Sequence, residues 1–559
     1  MADKFMIIDG IKCPFTDERN VLEVAHHNGI DIPYMCYCES LSVYEGCRLC
    51  IVEKEDGKID TSCSFAPEEG MVVYTNTPRV QKSRRMILEL MLGSHRTECT
   101  ICDKAGTCKL LEYCTRYRVS GARVDNPHTV PPIDDSSVCV VRDPSKCVLC
   151  GKCVRMCEEV QNVKALAIYH RGSHSFVAPV DNKLLSATNC VGCGQCASIC
   201  PTGALVVKNN IDEFWKMIHD PKHKVVVQVA PAVRVGIGEA FGLPDGAPVM
   251  GKLVTALHRL GVDVVYDTNL AADLTIMEES KEFMERLESG ENMPLFTSCC
   301  PGWIQHAEHK YPELLPNIST CGSPMEMMGA LIRKQFKNER VFSVAIMPCT
   351  AKKYECKREQ LDKDGMPVVD LVITTVELIR MIQECLIDFK NLPDSEPDNP
   401  LGSFTGGGVI FGVTGGVTEA VIRRVLANDS EETLQAIANC GVRGLEGTKI
   451  FDVTAGDTTL HIGVVSGLKN ADNLIAKIKS GAVKLDFVEV MACPNGCIGG
   501  GGQPTANLRK KESRYRGLFE ADAACTLKLS QQNPALDYVY NELLEGRAHE
   551  LLHVHYTEE

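Results

Sequence analysis

The 559-residue sequence predicts a multidomain protein of mixed α+β and α/β class, with small cysteine-bearing modules ahead of one large α/β domain. Three observations lead there. The chain is too long for one hydrophobic core, since domains run to about 100–200 residues. Its 29 cysteines crowd at spacings of two and three. From about residue 211 onward, apolar strand candidates alternate with amphipathic helices, the pattern of an α/β domain.

Composition narrows the function. Hydrophobic residues make up 44% and charged residues 24%, with no run of 18 apolar residues, so a soluble protein is expected and no membrane partner. The start, MADKFMIIDG, has no basic segment, long apolar stretch or small-residue cleavage site, and a cytoplasmic protein is expected. Lysine and arginine number 59 against 73 acidic residues, a net charge of −14, and no basic tract is interleaved with aromatics. Nucleic acid is therefore excluded as a partner. Cysteines this dense in a chain without secretory features indicate metal ligation in a reducing compartment rather than disulfides.

Four zones follow in order. Residues 1–80 alternate short apolar runs with turns (FMIIDG, CIVEKEDGKIDTSC, GMVVYTNTP), a period-two pattern that predicts a small sheet with cysteines on its loops. This looks like a plant-type ferredoxin-like domain. Cys36, Cys47, Cys50 and Cys63 fall as C-x10-C-x2-C-x12-C, which suits a [2Fe-2S] cluster, structural zinc being the alternative, and Cys38 reads as a bystander. Residues 81–125 hold a helix candidate, VQKSRRMILELMLGSH, and then His95, Cys99, Cys102 and Cys108 in the order H-x3-C-x2-C-x5-C. That set satisfies zinc as well as a [4Fe-4S] cluster; its neighbours favour the cluster. Residues 126–210 repeat one motif: Cys147, Cys150, Cys153 and Cys157, then Cys190, Cys193, Cys196 and Cys200 with Pro201 after them. This is the pattern of a bacterial two-[4Fe-4S] ferredoxin-like domain, in which the fourth cysteine of each run ligates the other cluster. Cys147, Cys150, Cys153 and Cys200 thus share one cluster, and Cys190, Cys193, Cys196 and Cys157 its neighbour.

The last zone, 211–559, carries the strand candidates KVVVQVAP, VDVVYD, VFSVAIMP, DLVITT and LDFVEVMAC, and a turn-rich surface loop near 391–403. Cys300, Cys349, Cys493 and Cys497 stand at strand ends, where α/β folds present functional groups; by spacing alone they could also be buried structural cysteines. The glycine stretch GGGVIFGVTGGV lacks G-x-x-x-x-G-K-[ST], so it predicts close backbone approach to a cofactor rather than a phosphate loop.

Three stretches carry a resemblance: FTSCCPGW at 296–303, IMPCTAKKYE at 346–355 and EVMACPNGCIGGGGQP at 489–504. They resemble the three signatures of iron-only ([FeFe]) hydrogenases, and the likeness extends over essentially the whole chain, through the C-terminal GRAHELLHVHY. The layout is similar to the clostridial monomeric enzymes and to the catalytic subunit of NAD(P)-linked hydrogenases. It implies a large two-lobed α/β catalytic domain that reversibly reduces protons to hydrogen, fed by one [2Fe-2S] and three accessory [4Fe-4S] clusters. The alternatives are a subunit of an NAD(P)-linked or bifurcating complex, or a hydrogen sensor. The same resemblance implies an H-cluster, a [4Fe-4S] cluster on Cys300, Cys349, Cys493 and Cys497, with Cys497 bridging to a diiron subsite that bears carbon monoxide, cyanide and azadithiolate. Ferredoxin or flavodoxin would carry electrons, maturation proteins would build the subsite, and NAD(P)H would bind partner subunits.

Residue roles are carried over in the same way. Lys352, by spacing a surface lysine, would donate to a cyanide nitrogen. Met347, Met491 and Phe411 would pack around the subsite, with Pro231 and Ala232 beside it. Cys299 would relay protons through Glu279, Ser319 and Glu282, with Arg286 at the outer end. By spacing alone Glu279 and Glu282 share one solvated face of the helix candidate TIMEESKEFMERLESG. The chain departs from the family at Ala232, often serine, and at Gly322 and Met325, often lysine and glutamine, which puts in doubt the hydrogen bonding around the subsite. Cys321 and Cys356 read as buried bystander thiols.

Overall fold

In the computed structural model, residues 4–123, 131–399, 401–428, 430–455 and 458–556 are described. The expected boundary between the second and third zones, at 125/126, lies outside them. The chain forms two compact units. The first comprises Met1–Glu159, Lys164–Thr188 and Ile199–Val206; the second Val160–Val163, Asn189–Ser198 and Val207–Glu559.

The first unit opens with the hairpin Lys4–Ile8 and Ile11–Phe15. Its turn is Asp9-Gly10, both at positive φ (50° and 82°), the geometry a two-residue hairpin needs to match strand twist. Val72–Tyr74 pairs parallel with the first strand and antiparallel with Ile51–Lys54, which pairs in turn with Ile59–Thr61, making a five-stranded sheet. The helix Pro78–Leu92 starts where Thr77 accepts from the Val80 N–H, with proline at the first position, where its missing N–H costs nothing. Buried Arg84 ties this helix to the sheet, donating to the carbonyls of Leu49 (3.1 Å), Ile51 (2.7 Å) and Thr75 (2.9 Å) and to the Tyr117 hydroxyl (3.0 Å). The hairpin Leu166–Tyr169 with Phe176–Pro179 belongs to the same unit.

The second unit contains two four-stranded sheets. One is wholly parallel, in the order Val264–Asp267, Lys224–Val229, Val341–Met347, Leu371–Thr374. Its strands read as continuous apolar runs because helices cover both faces. The other runs Leu295–Phe296, Phe487–Met491, Thr458–Ser466, Thr448–Ala455, the first three parallel and the last antiparallel. Parallel pairing delivers neighbouring strands to one edge. Lys224–Val229 and Val341–Met347 run out into Ala230–Ala232 and Cys349, while Leu295–Phe296 and Phe487–Met491 run out into Cys299–Cys300 and Cys493. The helix Asn269–Ser289 is buried over much of its length, including Glu279 at 0% exposure, so the solvated-face reading of its carboxylates does not hold. Among the described residues no helix is long and apolar enough to cross a membrane.

Candidate active site

The loops leaving both sheets of the second unit close around a nearly apolar cavity. Cys300, Cys349, Cys493 and Cys497 all line it, although up to 197 positions separate them in the chain (497 − 300). Burial raises all four thiols above the ordinary value, most strongly Cys349. Cys300 also accepts from the Ala492 N–H at 3.3 Å.

Every cofactor-contact residue read from the sequence faces the same cavity: Pro231, Ala232, Met347, Phe411 and Met491. Lys352 does too, only 8% exposed, and its Nζ lies 2.6 Å from Glu355 and 3.3 Å from the Cys299 carbonyl. Burial opposes its charge, but Glu355 outweighs burial and the ammonium titrates above its usual value. Of the departures, Met325 and Ala232 line the cavity, whereas Gly322 is not among its lining residues.

The glycine stretch divides. Phe411 and Gly412 border the cavity, but Gly408 serves helix packing: a Cβ there would stand 2.5 Å from the Asn269 carbonyl. Buried Glu489 anchors the stretch by accepting from the N–H groups of Gly415 (2.6 Å) and Thr418 (2.8 Å), where the helix Gly416–Leu426 begins.

Cys299 forms part of the cavity wall. Burial, and next the charge of Glu279, hold its thiol well above the ordinary cysteine range, so it is protonated at neutral pH. Local spacing carries no sign of so large a shift, which comes from burial in the fold. Glu279 lies close to Ser319 and to the Ser298 backbone without a well-formed hydrogen bond to either. Its carboxyl is pushed up to about 8 by burial first and by Glu282 next. Ser319 donates to Glu282 at 2.8 Å, and Arg286 holds the other Glu282 oxygen at 2.5 Å. Exposure rises along the series, from 0% at Glu279 and Ser319 to 13% for the side chains of Glu282 and Arg286.

The remaining cysteine sets are gathered to different degrees. Cys36, Cys47, Cys50 and Cys63 are buried together, each feeling the others' charge, and the Met35 N–H points at Cys47 Sγ (3.4 Å). Cys38 turns instead to the Ser40 hydroxyl. His95, Cys99 and Cys108 line one cavity, and His95 Nδ1 is buried there without a hydrogen bond. Cys102 is not among the residues lining that cavity; its sulfur occupies the space left by the missing side chain of Gly203. Cys147, Cys150, Cys153 and Cys200 surround another pocket. Cys157, which accepts from the Ala165 N–H at 3.2 Å, belongs to the first unit, whereas Cys190, Cys193 and Cys196 belong to the second. Within the second unit, Cys193 lies beside Cys493, and a Cβ on Gly501 would meet the Cys193 carbonyl at 2.3 Å.

Residues 223–501 match the family model described as the iron-only hydrogenase large subunit, C-terminal domain, and 508–559 match the iron hydrogenase small subunit. The NADP-reducing hydrogenase subunit HndD of Solidesulfovibrio fructosivorans is 41% identical, the match covering 98% of each chain. The chain belongs to the iron-only hydrogenases. Iron hydrogenase 1 of Clostridium pasteurianum is 36% identical across 99% of this chain and 100% of that one. The solved [FeFe]-hydrogenase HydA1 of Chlamydomonas reinhardtii superposes with a TM-score of 0.54 at 36% identity, covering 63% of this chain and 99% of its own.

Ahead of the hydrogenase domain, residues 6–78 match a 2Fe-2S iron-sulfur cluster binding domain and 146–204 a 4Fe-4S dicluster domain. Residues 84–123 match the iron-sulfur binding region of NADH-ubiquinone oxidoreductase G. This iron-only hydrogenase is therefore a mixed α/β multidomain protein with 2Fe-2S and 4Fe-4S ferredoxin-like parts. Sequence reasoning missed several cavity-lining residues, among them Thr268, Ala272 and Pro324. Small and apolar types carry no chemical signature, and only the fold brings them to the site.

Proposed function

We propose that this iron-only hydrogenase catalyses the reversible reduction of protons to hydrogen with electrons carried along iron–sulfur clusters. The observation behind this is a single buried cavity onto which four distant cysteines, Lys352 and Cys299 converge. The donor set fits an H-cluster. Four thiolates in so dry a place need cationic iron to offset their charge, and the apolar remainder suits diatomic ligands that ask little of the protein. Cys300, Cys349, Cys493 and Cys497 would hold the four-iron part, with Cys497 shared with the diiron part. When bound, that cofactor would supply the redox chemistry that combines two protons and two electrons into hydrogen.

The chain's own residues do the rest. Lys352, kept charged by Glu355, presents an ammonium to an anionic ligand. Met347, Met491 and Phe411 exclude water. Cys299 keeps a proton at the cavity wall, and Glu279, Ser319 and Glu282 replace it from outside, with Arg286 fixing Glu282.

The ligand sets given above for one [2Fe-2S] and three accessory [4Fe-4S] clusters, and the division at 1–80, 81–125, 126–210 and 211–559, are part of the same reading. The matched ranges 6–78, 84–123, 146–204 and 223–501 support it, as does the nearness of Cys193 to Cys493. The natural electron partner is ferredoxin or flavodoxin in the cytoplasm. The 41% identity to HndD over 98% of the chain favours a second reading, the catalytic subunit of an NADP-linked complex. No G-x-G-x-x-G follows a strand here, so nucleotide would bind a partner subunit.

The test is anaerobic hydrogen evolution from reduced methyl viologen by protein supplied with the mature diiron cofactor. Rapid evolution is expected. Infrared bands of carbon monoxide and cyanide without turnover would favour a sensor instead.

A further inference from the structure

The outer end of the proton relay carries a second constellation of side chains. Glu282, Cys321 and His553 each place a ligand atom within 4.8 Å of the other two. Backbone pairing brings the last two together. Cys321 and His553 oppose each other in an antiparallel bridge, flanked by Val554 N–H to Thr320 carbonyl (2.7 Å) and Gly322 N–H to Leu552 carbonyl (2.7 Å). Opposed residues of such a pair point their side chains to one face. Gly322 permits the close approach, since a Cβ there would already stand 3.0 Å from the Leu552 carbonyl.

The three groups suit a borderline-soft cation. Thiolate, imidazole and carboxylate together select zinc over magnesium or calcium, which prefer oxygen alone. His553 is already oriented: its Nε2 meets Glu278 Oε2 at 3.1 Å, the carboxylate–histidine arrangement that fixes a metal-binding imidazole, while Nδ1 pairs with the Thr320 hydroxyl at 2.8 Å. Glu278 itself accepts from the Tyr540 hydroxyl. Tetrahedral donors at zinc stand roughly 3.5 Å apart, so the three need close in by only about an ångström. The side chains of His553 and Glu282 are 9% and 13% exposed, which leaves an ion a way in from solvent.

We propose that Glu282, Cys321 and His553 form a binding site for a zinc-like divalent ion whose occupancy halts proton delivery. The ion takes Glu282 Oε2, the oxygen 3.7 Å from Cys321 Sγ that now accepts from Ser319. Coordination releases the thiol proton to solvent, no electron moves, and the fourth position is left to water. The inhibitory half of the proposal rests on the relay reading; the binding half does not.

The holoenzyme, its clusters checked by electron paramagnetic resonance, is incubated anaerobically with zinc chloride, desalted and analysed for zinc, and its hydrogen evolution is measured with zinc or magnesium present. Cys321→Ala and His553→Gln are carried in parallel. The wild type should retain about one more zinc than either variant. Zinc, unlike magnesium, should slow it, and the half-inhibiting concentration should rise about tenfold or more in the variants and in Glu278→Gln. Equal zinc in all proteins, or equal inhibition in wild type and variants, would overturn the site. Zinc retained at the site without slowing would overturn the inhibitory half and count against the route through Glu282, while leaving the hydrogenase reading intact.

Discussion

The cysteines of the first unit and those of the cavity in the second solve one problem differently. Cys147, Cys150 and Cys153 lie within one short run and meet Cys200 around a pocket in their own unit. Cys300, Cys349, Cys493 and Cys497 come from three separate segments and meet only because parallel strands of two sheets deliver their loops to common edges. A local run makes a cluster site that tolerates change elsewhere. A dispersed set makes a cavity whose walls, proton route and packing come from the whole domain.

Lesions at the cavity should therefore act on turnover, and lesions in the local runs on one cluster each. The largest effect is expected for Cys299→Ser. Turnover should fall by about 10²–10⁴-fold with the infrared bands of the diiron site unchanged, because a hydroxyl exchanges protons far less readily than a thiol. Full activity in that variant would remove Cys299 from the relay.

Glu279→Gln should lower turnover by about a hundredfold. In the wild type its carboxyl, at about 8 in the fold against about 4.3 when unfolded, binds its proton more tightly in the native state. Its contribution therefore favours folding fully below the unfolded value and is lost as pH rises through about 8. The same titration sets the direction of proton traffic. Hydrogen evolution should decline above pH about 8 and hydrogen oxidation should rise across that window, both measured on the wild type. Parallel changes in the two directions would contradict this role.

Cys200→Ala tests the other side of the contrast. It should lower iron by about four per chain, as one cluster is lost, while the infrared bands of the cavity persist. The smallest effect is expected at Thr77→Ala, where loss of the cap on Pro78–Leu92 should cost about 1 kcal/mol in unfolding of the first unit and leave turnover unchanged.

The contrast also decides what could be read from sequence. The runs at 147–157 and 190–200 are legible because ligand spacing is a local property. The parallel strands Lys224–Val229, Val341–Met347 and Phe487–Met491 were equally plain, being apolar runs buried on both faces. The hairpin of Thr448–Ala455 with Thr458–Ser466 is not among the expected strands, although TKIFDVTAGDTTLHIGVVS alternates as strands do; it carries no cysteine or other chemical marker. Spacing also misjudged Glu279 and Glu282, which a helical wheel puts on one face without saying whether that face meets water or protein. The pairing of Cys321 with His553 is not legible in the sequence, because the two stand 232 positions apart (553 − 321) and meet across a backbone bridge.

The central claim is that four dispersed cysteines hold a six-iron cofactor in the cavity. The most direct test is the infrared spectrum of the matured protein beside that of Cys349→Ala. Bands of carbon monoxide and cyanide are expected in the wild type and should be lost in the variant, with the accessory clusters still visible by electron paramagnetic resonance. Bands missing from the wild type after competent maturation, or unchanged in the variant, would contradict the assignment.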